Sequence, residues 1–146
     1  MTAKRLLSKR LRHQNYISPD AWVVTAIKRM NNDNVGALVV SSDGEEIEGI
    51  ISERDIIRGL NKFGSRVLKF TVQRLMTNDV ITSHMSESVH GLVKKMINHK
   101  VSHIPVVNDK DYFEGIINIR DVLLDNIEGV EVDTTFKRVC ETELAT

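Results

Sequence analysis

Two short segments carry side chains whose types and spacing could do chemistry: Ser52-Glu53-Arg54-Asp55 and Asn118-Ile119-Arg120-Asp121. In the first, an apolar run ends at Ile51 and a helical pattern begins at Ser52, which puts Ser52 and Asp55 in the first turn of a helix. Helix N-termini expose unpaired N–H groups and carry partial positive charge, which suits a phosphate. A carboxylate three residues into the helix can accept hydrogen bonds from both hydroxyls of a cis-diol, the group a ribose presents. Ser52 can donate to a ribose or phosphate oxygen. The same spacing also has a purely structural use. Ser-x-x-Asp is close to a capping box, Asn-x-x-Asp caps almost as well, and capping alone accounts for both segments at about 1 kcal/mol each. The two uses are compatible, because a side chain that caps the empty helix can turn to a ligand. Arg54 and Arg120 stand beside the two carboxylates. Solvation or pairing with acidic neighbours is the preferred reading for them, over a phosphate or a neighbouring subunit.

The elements that must position these residues form a repeat. Gly49-Ile50-Ile51-Ser52-Glu53-Arg54-Asp55 returns as Gly115-Ile116-Ile117-Asn118-Ile119-Arg120-Asp121, an offset of 66 residues that holds without a gap from Val23/Val89 through Val35/Val101, Val40/Val106 and Asp43/Asp109. That period is too long for a solenoid unit of about 20–50 residues and describes two copies of one small domain. In the first copy, Ser18-Pro19-Asp20 signals a helix start. Val23, Ala26, Ile27 and Met30 then form one buried face, and Trp22 beside them is expected to pack in the core. Val35–Val40 is a strand, Ser41-Ser42-Asp43-Gly44 a hairpin turn and Ile47–Ile51 the return strand. A second helix from Ser52 is expected to bury Ile56, Ile57 and Leu60. The second copy repeats this with a short strand at Val80–Thr82, a helix from Ser86, strands Val101–Val107 and Phe113–Ile117 and a helix from Ile119. The offset puts the matching short strand of copy one at Gln14–Tyr16.

The totals set bounds. The chain has 146 residues, 41% apolar and 27% charged, with 20 basic and 20 acidic side chains. That is ordinary for a globular protein, and zero formal charge gives no general attraction to nucleic acid or an anionic membrane. Two copies of about 60–65 residues are each marginal alone, so they are expected to share a core and to dimerise. The single cysteine, Cys140, excludes an internal disulfide and fits a reducing cytoplasm. No apolar run approaches the roughly 18 residues of a membrane helix, and the N-terminus shows no signal core. Residues 1–13 are basic, with Leu6, Leu7 and Leu11 at helical spacing. A short helix laid on the protein is preferred there over a membrane or nucleic-acid arm. Residues 14–62 and 79–127 are the two domains, 63–78 a linker and 128–146 a tail. No metal site is expected, since the five histidines lack zinc-site spacing. Cys140 has no paired base, and no P-loop or nucleophile elbow occurs, so no enzyme is expected.

Together the twin Gly-Ile-Ile-[Ser/Asn]-x-Arg-Asp segments, Val35-Gly36-Ala37-Leu38-Val39-Val40, Leu75-Met76-Thr77-Asn78-Asp79-Val80-Ile81-Thr82 and Val101-Ser102-His103-Ile104-Pro105-Val106 resemble the CBS domain, named after cystathionine β-synthase. The resemblance covers about residues 14–127. A tandem pair of such domains is often called a Bateman module. The resemblance implies an α/β (α+β) fold of two β-α-β-β-α units packed through their sheets about a pseudo-two-fold axis, in a stand-alone pair. It implies two clefts that take an adenine nucleotide (AMP, ADP, ATP, NAD or S-adenosylmethionine) and report its level to an effector protein, with modules pairing into a homodimer. Carried over, site one uses Ser52 and Asp55, with Gly36 and Ala37 nearby and Thr82, Ser102 and His103 from the other copy. Site two uses Asn118 and Asp121, with Ser102 and His103, and with Tyr16, Gly36 and Ala37 opposite. Asn118 departs from the family's hydroxyl residue. Ser102 stands where many relatives place an arginine, leaving His103, Lys100, Arg66, Lys69 or Arg74 to meet a phosphate. The alternative functional class is a structural protein-interaction module with capped helices and empty clefts.

Overall fold

A computed structural model describes residues 2–8 and 16–128 of the chain. Leu11, the proposed strand residues Gln14 and Asn15, Cys140 and the tail beyond Glu128 lie outside the described residues. The elements run α1 (Ala3–Ser8), β1 (Tyr16–Ile17), α2 (Val23–Asp33), β2 (Ala37–Val40), β3 (Gly49–Ser52) and α3 (Glu53–Phe63). A 3-10 turn (Gly64–Lys69) and α4 (Val72–Leu75) then lead to β4 (Ser83–His84), α5 (Val89–His99), β5 (His103–Val107), β6 (Phe113–Asn118) and α6 (Ile119–Glu128). Each copy is thus β-α-β-β-α, as the repeat predicts.

The 66-residue offset is carried into the hydrogen-bond register. β2 and β3 pair antiparallel with Ala37 opposite Ser52, and β5 and β6 pair with His103 opposite Asn118. Parallel edges place Ile17 beside Val40 and Ser83 beside Val106. The sheets are ordered β1-β2-β3 and β4-β5-β6. The short edge strand of copy two is at Ser83–His84, not Val80–Thr82, and that of copy one at Tyr16–Ile17. Even these ends are tied down identically: Arg29 donates to the Tyr16 carbonyl at 2.9 Å, and Lys95, 66 residues on, to the Thr82 carbonyl at 3.2 Å.

All four β2 residues are buried. Leu38 and Val40 face the helices of their own copy, in a core with Val23, Met30, Ile51 and Ile56. Ala37 and Val39 point the other way and are also buried. A strand buried on both faces needs a second layer, and the other copy supplies it. Phe113 N–H donates across to the Glu45 carbonyl at 2.8 Å, and Arg54 to the Lys100 carbonyl at 3.5 Å.

The two cores are also interlocked by the segments that precede the copies. Val72 of α4, ahead of copy two, is buried in the core of copy one. Leu6 of α1, ahead of copy one and 66 residues before Val72, is buried in the core of copy two beside Leu92 and Ile104. The N-terminal segment therefore includes a short helix packed on the protein, as preferred from sequence.

Three further expectations fail, each for a local reason. Trp22 is 54% exposed. Helix α2 starts one residue later, so Trp22 is its extended N-cap and not part of the buried stripe. Ile57 and Leu60 are 65% and 41% exposed. The buried arc of α3 is Ile56 and Gly59, because at Gly59 a Cβ would lie 2.7 Å from Leu75 Cδ1 and 2.8 Å from Val67 Cγ2. The missing side chain lets the linker close on the helix and turns its neighbours outward. Finally, the return strand begins at Gly49 and not at Ile47, because the turn at Ser41-Ser42-Asp43-Gly44 is part of a longer connection between the antiparallel strands β2 and β3. In this loop, residues 41–48, Asp43 Oδ1 accepts from the N–H of Glu45 at 2.8 Å and Glu46 at 2.9 Å and from Ser41 Oγ at 3.1 Å.

Candidate functional site

Ser52 is the N-cap of α3, with an extended backbone. Its Oγ accepts from Asp55 N–H at 3.3 Å, and Asp55 Oδ2 accepts from Ser52 N–H at 2.8 Å and Ser52 Oγ at 2.9 Å. The other carboxylate oxygen, Oδ1, accepts from Thr77 Oγ1 at 2.9 Å. Thr77 comes from the linker, which is fixed there by reciprocal backbone bonds between Ile50 and Thr77 at 2.8 and 3.0 Å. Copy two builds the same cap with an amide: Asp121 N–H donates to Asn118 Oδ1 at 3.0 Å, and Asn118 N–H to Asp121 Oδ2 at 2.9 Å. Both segments are therefore capping boxes, the structural use expected from their spacing.

The first box also opens into a cavity of about 710 Å³ between the copies. Ser52, Asp55 and Gly36 line it from copy one, and Ser102 and His103 from copy two. The His103 ring lies close over Gly36, where a Cβ would sit 3.1 Å from Nε2, a tight contact that favours glycine. The apolar wall is Ile50, Val80, Ile81, Val101 and Pro105, and the rim carries Arg54, Arg58, His99 and Lys100 against Glu53 and Asp79. Lys100 is held at φ 53°, a left-handed conformation that costs a lysine about 1–2 kcal/mol relative to a helical one. A half-open hollow of this volume, with an apolar wall and a strongly charged rim, falls within the roughly 300–1,000 Å³ of small-molecule sites.

The other proposed site residues lie elsewhere. Ala37 is buried in β2. Thr82 lines a separate hollow of about 380 Å³ with Glu46, Ile47 and Tyr112. The Tyr16 ring lies against Gly44, where a Cβ would be 2.9 Å from it. Asn118 and Asp121 are at the second cap, away from the cavity. By the repeat offset, the counterparts of the lining segment Thr77–Ile81 are residues 11–15, which fall outside the described residues. Of the phosphate candidates, His103 and Lys100 are at the cavity, whereas Arg66 donates to the Phe63 carbonyl at 3.3 Å and Arg74 stacks on Phe70. The sequence reading missed Arg58, His99 and the role of Thr77. Arg58 was legible, three residues after Asp55 and so on the same helix face. Among the described residues, no group of three or more His, Cys, Asp or Glu side chains could hold a metal ion, and no helix is long and apolar enough to cross a membrane.

Comparison with known proteins matches both copies to one family, described as the CBS domain, over residues 7–62 and 72–125. The chain is 36% identical over 112 residues to the CBS domain-containing protein CBSX3, mitochondrial, of Arabidopsis thaliana, a match covering 74% of the chain and 54% of the relative. The chain thus spans about half the length of that curated relative. Among solved structures it resembles a CBS-domain containing protein from Agrobacterium tumefaciens (27% identity, TM-score 0.81, covering 87% of this chain and all of the other). It also resembles a CBS domain pair in complex with 5-methylthioadenosine and S-adenosyl-L-methionine (27% identity, TM-score 0.74, 88% of this chain and 96% of the other).

Proposed function

The chain belongs to the CBS domain family, and from that premise we propose that it is a regulatory module binding an adenine nucleotide or S-adenosylmethionine in the cavity between its two repeats. One observation carries this reading: the capping carboxylate Asp55 and the N-terminus of α3 open together into a cavity closed by the other copy. In this assignment Asp55 takes the ribose hydroxyls, Ser52 and the α3 N-terminus take a ribose or phosphate oxygen, and Lys100, Arg54 or Arg58 neutralises a phosphate. Ile81, Val101 and Pro105 give the base an apolar slot, and His103 closes over Gly36. The related CBS domain pair bound to 5-methylthioadenosine and S-adenosyl-L-methionine supports an adenosine-type ligand. For site two the proposal keeps only Asn118 and Asp121, whose cap offers an amide in place of a hydroxyl and so makes a weaker receptor; Ala37 is buried in β2 and Tyr16 lies against Gly44.

The mechanism is linkage. Asp55 already accepts three hydrogen bonds, from Ser52 and Thr77. A diol at that carboxylate must share or displace the Thr77 hydroxyl, so binding bears directly on the linker that joins the copies. An effector protein, or the second protomer of a homodimer, that prefers one linker arrangement then reads the occupancy, by as much as the ligand's affinities for the two arrangements differ. The rival reading is an interaction module whose boxes only cap helices, and the fully engaged Asp55 favours it. Calorimetry separates the two. Asp55→Ala is expected to abolish adenine-nucleotide binding at the described cavity, while Asp121→Ala leaves it intact. Equal binding by wild type and Asp55→Ala would rule out this site.

A further inference from the structure

Helix α3 begins at the cavity and ends at an unusual concentration of positive charge. From Ile56 to Asn78 the sequence holds Arg58, Lys62, Arg66, Lys69 and Arg74 and no acidic residue, and all five cations are exposed. Two of them lie over one pair of rings, and a third is tied to the backbone beside it. Phe63 and Phe70 meet edge-on with centroids 5.0 Å apart. The Arg74 guanidinium lies 3.6 Å from the Phe70 centroid and 5.8 Å from that of Phe63, and Lys62 Nζ lies 5.3 Å from Phe63. Arg66 is anchored on the Phe63 carbonyl. Among the described residues no carboxylate forms an ion pair with any of the five. A guanidinium stacked on a ring loses little freedom on binding and keeps its planar fork of donors turned outward, a preorganised receptor for carboxylates. Beside this cage stands Trp22, which is bridged to Thr71 and half exposed.

We propose that this surface docks an acidic, partly apolar peptide segment of a partner protein, with carboxylates on Lys62, Arg66 and Arg74 and an apolar side chain on Trp22. Charge decides the class of partner. The chain as a whole is neutral, so an extended polyanion such as nucleic acid finds no general attraction beyond the patch. The two cage rings are already covered by cations and offer no open face to a base. Arg58 belongs to the cavity, but Lys62, Arg66, Arg74 and Trp22 do not line it, so the docking site does not depend on the nucleotide assignment.

The test is fluorescence anisotropy with a short labelled peptide of glutamate and leucine, a matched lysine–leucine peptide and oligothymidylate, at low and high salt. Wild type is expected to bind the acidic peptide alone, and salt to weaken that binding. The double variant Arg66→Glu/Lys69→Glu, which leaves the Arg74 stack in place, should bind about tenfold more weakly with an unchanged melting temperature. Arg74→Lys, which keeps the charge and loses the fork, should bind several-fold more weakly. Equal binding by wild type and the double variant, tighter binding of oligothymidylate, or no binding of the acidic peptide by wild type would overturn the proposal. So would wild-type self-association in sedimentation that the double variant lacks, because the patch would then be covered by a second copy.

Discussion

At the scale of single residues, the proposed ligand would draw on groups that already have a structural use. Lys100 occupies the left-handed position that ends α5, where its repeat counterpart is Asn34, also at positive φ. Asparagine tolerates that conformation and lysine less so. A lysine kept there at the cavity rim is consistent with a charge needed for binding. Lys100→Gly should therefore stabilise the fold by about 0.5–1 kcal/mol while weakening phosphate-bearing ligands more than 5-methylthioadenosine, a pattern that melting curves and calorimetry would read together. Asp43 is a simpler case. The backbone N–H groups of Glu45 and then Glu46 hold its carboxyl below the ordinary aspartate range. A group whose folded pKa is depressed gives stability that is fully present above its unfolded pKa and lost as pH falls through the folded value. The loop at 41–48 should thus loosen only in acid below the usual aspartate range. A carboxyl NMR titration of Asp43 with an ordinary midpoint would contradict this.

At the scale of elements, the repeat transmits more than a motif. Leu6 and Val72 show that each copy's leading segment completes the other copy's core. Truncating Leu6 to alanine should cost about 2–4 kcal/mol and should loosen hydrogen-exchange protection in β5 and β6 before β2 and β3, although Leu6 precedes copy one. The strand pairings, helix order and both caps were legible in the sequence, because a two-residue alternation and a 3.6-residue stripe recur in register at one offset. Ser52, Asp55, Gly36, Ser102 and His103, drawn from both copies, do meet at one cavity. What sequence did not show depends on contacts between elements. Trp22 is apolar but sits one residue before its helix. Ile57 and Leu60 yielded the inner face to Gly59, whose lack of a side chain admits Leu75 and Val67. The Thr77–Asp55 bond joins residues that no periodicity links, and the swap of leading segments has no sequence signature beyond the offset itself.

For the whole molecule, the proposed function makes the cavity between the repeats a receptor and not merely a gap between two capped helices. The cavity is lined by Thr77 of the linker, by Ile50 and Ser52 of β3 and by Ser102 and His103 of the other copy, so occupancy bears on the linker and on both halves. A ligand at 100 times its dissociation constant would add about 2.7 kcal/mol to stability, enough to see in a melt. The most direct measurement is native mass spectrometry of the purified protein and of Asp55→Ala, each mixed with AMP, ATP, NAD and S-adenosylmethionine. At least one of these is expected to add to each wild-type chain, and that adduct to be lost in Asp55→Ala. Wild type that retains none of the four, or a variant that retains the same adduct, would contradict the proposed function.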